Sequence, residues 1–548
     1  MSTHIPVRPE TDSPMTDGRP PLWLDGTSLS ARDVAAVART LGPTDVHLDR
    51  AALAHVARAA RLGADLSTRR AVYGRTTGVG ANRDEHVGDD AEPADSAGSG
   101  GLSGSAGLTG SAGSAGLTGS AGSAGLTGSA GHGLRLLRSH SGGAGDQLDP
   151  ELVRAAMLIR LNQLLTGRSG VSPGLVHALA DAVRTGARPV VHHLGAIGTG
   201  DLAPLAQIAL ALAGEGAWDT APPVPEPVAV DAGDALAFVS SNAVTLAESA
   251  LAAGTLDVVL ASSHVVAALS YLALDGSPEA YADPVHRARP HPGQVRCAQR
   301  MRHLLGMERT PPKGRRIQDP FGLRAFPQVN GPAIDALDTL HRVLDVEINA
   351  GAENPMIAVA EDDVYHHAHF HTAYVAGALD HVRACIHGVA ELSAARLGDL
   401  VEPEQTGLRA FLVDGPPGSS GVMILEYMSH DALAALRQVA LPVTLGSAVV
   451  SRGLEDHASF STQAARATTE VAIAYTRVLA CELVAAVRAL RLRRQNAGVP
   501  AAGTGPAPVE EALARAEEVL DPRTEDRPLA DDVAVAVDLL LDPTWALV

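Results

Sequence analysis

Apolar residues recur along this chain in long Ala- and Leu-rich stretches, and the breaks between them are rich in Gly and Pro. Stretches of that length predict helices in preference to strands, and Ala and Leu cost little in a helix. Residues 30–70 read as the first helical stretch. Asp149-Pro150 opens another, pairing an N-cap side chain with a proline at the first helical position. Leu152, Ala155, Met157, Ile159 and Leu164 supply its mostly apolar face. A proline-rich break at 222–227 precedes the next block, which begins near Ala235. Further helices are predicted at 332–348, 373–397, 424–439 and 468–492. A Gly/Pro linker at 498–508 leads to a last helix at 509–520. Strand signals are short and scattered. The expected fold class is all-α, a bundle of long helices.

Two segments break this pattern. Residues 1–20 are Pro- and charge-rich and read as a disordered tail. Within residues 95–131, the unit Gly-Leu-Thr-Gly-Ser-Ala-Gly-Ser-Ala starts at Gly107 and again at Gly116, and Gly125 opens a truncated copy. Its Gly/Ser content is expected to give a flexible surface loop, and the unit is too short and polar for a solenoid. The organisation expected is an N-terminal domain at 21–220 carrying this insert, then a helical bundle with C-terminal helices at 221–548.

The chain has 548 residues, 46% of them hydrophobic and only 3% aromatic, so it can bury a large core. The formal charge of −19 argues against nucleic acid or an anionic membrane as partner. Cys297, Cys385 and Cys481 are far apart and form no metal or disulfide pattern. No signal peptide and no apolar run of transmembrane length is read, so the cytoplasm is the expected location.

The candidate chemistry lies in short blocks: Tyr73-Gly-Arg-Thr-Thr-Gly78, Arg138-Ser-His-Ser-Gly-Gly143, Gly195-Ala-Ile-Gly-Thr-Gly-Asp-Leu-Ala-Pro204, Arg289-Pro-His-Pro-Gly-Gln294, Gln318-Asp-Pro-Phe-Gly-Leu-Arg324, Glu347-Ile-Asn349, Glu353-Asn-Pro355 and Glu455-Asp-His457. In this order they resemble the histidine/phenylalanine (aromatic amino acid) ammonia-lyase family, from about residue 21 to the C-terminus. The resemblance implies a fumarase/aspartase-like helical bundle. It also implies a homotetramer whose active sites each draw on three subunits, with helix N-termini pointing at an electrophilic prosthetic group. Family chemistry removes ammonia and a β proton from an amino acid. On the resemblance Tyr73 is the base, Arg324 grips the substrate carboxylate, and Gln318 is a neighbouring polar contact. Ser139, His140 and Glu455 select the side chain as in the histidine branch, and Phe370 lies in a loop edging the site. A tyrosine base needs its pKa lowered, and oriented helix dipoles can do that.

The departures fall at the chemistry. Family members carry Ala-Ser-Gly, which cyclises to methylidene-imidazolone; this chain has Gly198-Thr199-Gly200. Phe321 replaces a tyrosine, Ser240 replaces an asparagine, and His369-Phe-His-Thr372 replaces Asn-Phe-His-Gly. Cyclisation does not need the alanine methyl, and glycine eases the turn. Dehydrating a threonine would leave a more hindered ethylidene group, so the open turn is the expected state. The function expected is addition or elimination of ammonia on a carboxylate-bearing, histidine-like or aromatic amino-acid substrate. The alternatives are a family member that catalyses another elimination, addition or cyclisation without the prosthetic group, and a non-catalytic binding relative. The glycines at 195–200 lack the spacing and βαβ setting of a dinucleotide loop. His366-His-x-His-x-His371 offers imidazoles for a metal but no evident acidic or Cys partner, and no metal is assigned.

Overall fold

Five helices carry the architecture: Ala243–Leu274, Phe326–Ile348, Ala373–Val401, Ile424–Val439 and Ser461–Ala497. They are seen in a computed structural model that describes residues 21–40, 42–87, 129–219, 223–314, 316–497 and 507–548. The expected tail at 1–20 and most of the insert at 95–131 lie outside the described residues. The insert's last residues open the helix Ser129–His140.

Ser461–Ala497 is the central helix, packed against Ala243–Leu274 and Ala373–Val401. Contacts at both ends show that these three run parallel. At one end Thr245 Oγ1 lies 2.8 Å from Thr462 Oγ1, and Thr372 Oγ1 lies 2.7 Å from Ser461 Oγ. Far along each helix, the buried Glu482 carboxylate accepts from Ser270 at 2.6 Å, Ser393 at 2.6 Å and the Arg396 guanidinium at 2.6 and 2.8 Å. This hydrogen-bonded pair, shielded from water, pins the register of all three. Their N-termini therefore end together.

Several expectations need correction. The stretch 30–70 is two helices, Ala31–Ala38 and Arg50–Arg69, because Gly42-Pro43 cannot continue a helix. Ser30 caps the first in a capping box with Asp33, and Asp49 caps the second. Between them Val46–Leu48 pairs in parallel with Leu22–Leu24. Pro332 lies inside Phe326–Ile348 and does not start it. The helix expected at 509–520 is Pro508–Val519, but it is not the last: Ala530–Leu540 and Pro543–Ala546 follow. Contrary to the reading that no apolar run is long enough to span a membrane, the stretch Asp234–Leu274 is long and apolar enough by composition; 78% of its window is buried inside the molecule, as the core of the bundle. Asp149 and Pro150 open Pro150–Leu165 as predicted. One hydrophobic cluster among the described residues runs from Leu24 to Trp545.

Candidate active site

The turn Gly195–Asp201 sits at the pole where the helix N-termini meet. Leu202–Leu212 begins directly after Asp201, and Ala243–Leu274 begins directly after Asn242. Ala373–Val401 and Ser461–Ala497 reach the same point through Thr372 and Ser461. Positive helix ends favour electron density gathering there. The buried Asp201 carboxylate accepts from Thr245 N at 2.7 Å and Thr245 Oγ1 at 2.9 Å. Burial nevertheless pushes its pKa up to about 6, with those hydrogen bonds opposing the rise.

The turn's backbone is held atom by atom. Gly200 N–H donates to Asn242 Oδ1 at 3.0 Å, and Gly198 O accepts from the Ser459 hydroxyl at 2.7 Å. Phe460 N–H donates to Ile197 O at 3.0 Å, and Gln463 Nε2 to Ala196 O at 3.0 Å. Gly198 is required here. Its φ is +82°, and a Cβ would lie 2.2 Å from Ser459 Oγ and 2.6 Å from Ser461 N. Serine groups occupy the space that the family's alanine methyl would need on this backbone.

A cavity of about 740 Å³ opens above the turn. Tyr73, His140, Thr199, Gly200, Ser240, Phe370 and Glu455 all line it, so residues far apart in sequence converge there. Gly198 is buried beneath. Ser139 does not line the cavity; its hydroxyl lies 3.1 Å from His140 Nδ1, and both groups bond the Leu136 carbonyl. That carbonyl fixes the His140 hydrogen on Nδ1 and leaves Nε2 as the acceptor of the neutral ring. Ser240 takes its place through the Glu353-Asn-Pro355 block. Buried Arg160 joins Glu353 at 2.9 Å to the Phe238 carbonyl at 2.9 Å, and Asn354 N–H donates to Ser240 Oγ at 3.0 Å.

Tyr73 departs from expectation. Its hydroxyl accepts the Gly80 N–H at 2.6 Å, yet its pKa is raised. Burial is the main cause; the Gly80 hydrogen bond lowers it and the Glu455 charge raises it again. The helix ends do not overcome desolvation.

Gln318, Phe321 and Arg324 do not reach this cavity within one chain. The short helix Phe321–Arg324 packs at the opposite end of Ala373–Val401, where Gly322 O accepts from Arg396 at 3.1 Å. Arg396 lies two dozen residues beyond Thr372, roughly 35 Å along the helix at ~1.5 Å per residue. Phe321 is 63% exposed, Arg324 stacks on it at 4.2 Å, and the buried Arg324 Nε has no hydrogen-bond partner among the described residues. Such a segment can serve a site of this kind only on another copy of the chain.

The sequence reading missed Asn242, Ser459 and Asn354. Asn242 could have been found, because it stands two residues after Ser240, where the family's asparagine is absent. The histidine run does not form a metal cage: His371 Nε2 lies 2.9 Å from His457 Nδ1, His366 faces the cavity, and among the described residues no three His, Cys, Asp or Glu side chains converge on one point.

Residues 29–517 match the family described as aromatic amino acid lyase. A histidine ammonia-lyase from Geobacillus kaustophilus is 33% identical over 73% of this chain and 81% of its own length. The crystal structure of histidine ammonia-lyase from Trypanosoma cruzi superposes with a TM-score of 0.79 at 26% identity, covering 95% of this chain and 93% of that one. That of an ergothioneine-degrading enzyme from Treponema denticola superposes with a TM-score of 0.82 at 24% identity over 96% of this chain and 99% of its own, a likeness of fold.

Proposed function

This chain belongs to the aromatic amino acid lyase family, and from that premise we propose that it is a carbon–nitrogen lyase that eliminates ammonia from a carboxylate-bearing, histidine-like amino acid. The observation that carries this reading is the convergence of Tyr73, His140, Thr199 and Glu455 on one cavity above four helix N-termini.

The side chains divide the work by chemistry. His140 and Glu455 can both hydrogen-bond an imidazole ring, one through an acceptor nitrogen and the other through a carboxylate. Tyr73 removes the β proton, and the Gly80 N–H is the donor positioned to hold the phenolate that must form first. Arg324 binds the substrate carboxylate bidentately from a neighbouring subunit. The working form is a homotetramer, supported by the exposed apolar side chains of Tyr427, Leu441, Leu445 and Val449.

The residues at the turn fit the family's prosthetic group. Gly198 carries no Cβ to displace Ser459, and Thr199 borders open cavity, so its methyl has room. Gly198, Thr199 and Gly200 would form the imidazolone; when present it supplies an electrophilic carbon that makes the amine a better leaving group. On this reading the closed ring is favoured over the open turn expected from the sequence. The alternative of an open Gly-Thr-Gly turn rests on the added methyl alone.

The test is direct. Purified protein is incubated with histidine, other imidazole-bearing amino acids, phenylalanine and tyrosine. The unsaturated acid is followed by absorbance and ammonia is counted in parallel. Equal amounts of both products are expected, with an imidazole-bearing substrate preferred. Histidine itself should turn over slowly, since Phe321 and Ser240 each remove a hydrogen-bonding group whose loss costs about 2–4 kcal/mol at a reacting centre. Carboxylate binding without any ammonia release would support a binding protein instead.

A further inference from the structure

We propose that Ser459 and Asn242 are the residues that drive closure of the Gly198–Thr199–Gly200 turn into its ring, an inference that rests on the reading of the chain as a lyase with a matured turn. Closure requires Gly200 N to bond to the Gly198 carbonyl carbon. The structure puts an acceptor on the nucleophile and a donor on the electrophile. Asn242 Oδ1 takes the Gly200 N–H at 3.0 Å, and Ser459 Oγ–H is directed at Gly198 O at 2.7 Å.

The orientation of both groups is fixed by a second bond. Ser461 N–H donates to Ser459 Oγ at 3.2 Å, so a lone pair of that hydroxyl is taken and its hydrogen is committed to Gly198. Ser461 is also the first residue of its helix, so this donor sits at the positive helix end and polarises the hydroxyl further. Asn242 Nδ2 donates to Phe370 O, which leaves Oδ1 as the only end of the amide able to face Gly200. Ser459 is 4% exposed and Asn242 1% exposed, so water does not compete at either bond.

The step balances without any co-reactant. Gly200 N bonds to the Gly198 carbonyl carbon and the carbonyl electron pair moves onto Gly198 O, where the Ser459 O–H stabilises the growing charge. That oxygen leaves as water with the Gly200 and Thr199 amide protons. The Thr199 hydroxyl leaves as a second water with the Thr199 Cα proton, forming the exocyclic double bond. Nothing is oxidised or reduced. A single donor at a developing oxyanion typically contributes ~10²–10³-fold in rate.

The experiment is the mass of the peptide spanning residues 195–201, with near-ultraviolet absorbance as a second readout, in full-length protein and in Ser459→Ala, Asn242→Ala and Asn242→Asp. Thermal melting confirms folding and selects the folded fraction. The unaltered chain should be lighter by two waters. Ser459→Ala and Asn242→Ala should mature at least tenfold more slowly and keep mostly the full mass, and Asn242→Asp, which retains the acceptor oxygen, should recover maturation. If folded Ser459→Ala and Asn242→Ala lose both waters as fast as the unaltered chain, this assignment is overturned while the lyase reading stands. If the unaltered chain itself keeps its full mass, the matured-turn reading fails and the inference with it.

Discussion

Gly198 shows how one missing methyl organises a site. Its backbone lies in the left-handed region, and the place of its Cβ is taken by Ser459 and Ser461. Gly198→Ala should therefore cost about 1–3 kcal/mol through crowding, measured by denaturant unfolding against the unaltered chain; no loss would mean the turn can move aside. Tyr73 makes a second prediction through its raised pKa. A base must be deprotonated to act, and a phenol held above its usual value is mostly protonated near neutrality, so kcat/KM should climb with pH through 7–9 and reach no plateau there. Glu455 is one cause of that rise, so Glu455→Gln should move the profile toward lower pH even as it weakens substrate binding. An unmoved profile would remove Tyr73 as the titrating group. Tyr73, His140, Thr199 and Glu455 were legible in the sequence because their motifs are distinctive. Ser459 and Asn242 were not, because a serine or an asparagine has many ordinary roles and only the hydrogen bonds to Gly198 O and Gly200 N distinguish them.

At the level of elements, the site exists because three parallel helices end together. Glu482 sets that register by binding Ser270, Ser393 and Arg396 at once. Replacing it by leucine would strand the buried Arg396 charge, so Glu482→Leu should lose about 3–5 kcal/mol of stability by denaturant titration. A neutral result would show that apolar packing alone holds the register. The long helices were legible from their composition, and Asp149-Pro150 marked a start correctly. Boundaries were less so. Gly42-Pro43 divides a stretch that reads as continuous Ala-rich helix, while Pro332 interrupts nothing because the bundle holds its helix on both sides. Ala530–Leu540 was missed: it is only eleven residues long, and acidic residues dilute its apolar run.

At the scale of the whole molecule, a single chain holds an incomplete site. Its cavity has Tyr73 and the Gly198–Gly200 turn, but Arg324 lies at the other end of the bundle beside the exposed Phe321. The family resemblance implies sites that draw on several subunits, but motif order alone does not say which copy supplies which residue. In the homotetramer proposed above, the Phe321–Arg324 end of one subunit would reach the cavity of another. The most direct test is complementation between two crippled variants, Tyr73→Phe and Arg324→Met, produced together so that their subunits mix. Each alone should be slow: the first through turnover by ~10²–10⁴-fold, the second chiefly through KM. If Tyr73 and Arg324 of each site come from different subunits, about a quarter of the sites in an evenly mixed assembly have both residues intact, by random assortment in a symmetric oligomer. The mixture should then recover about that fraction of full activity. Activity no greater than the average of the two separate preparations would contradict a site shared between subunits.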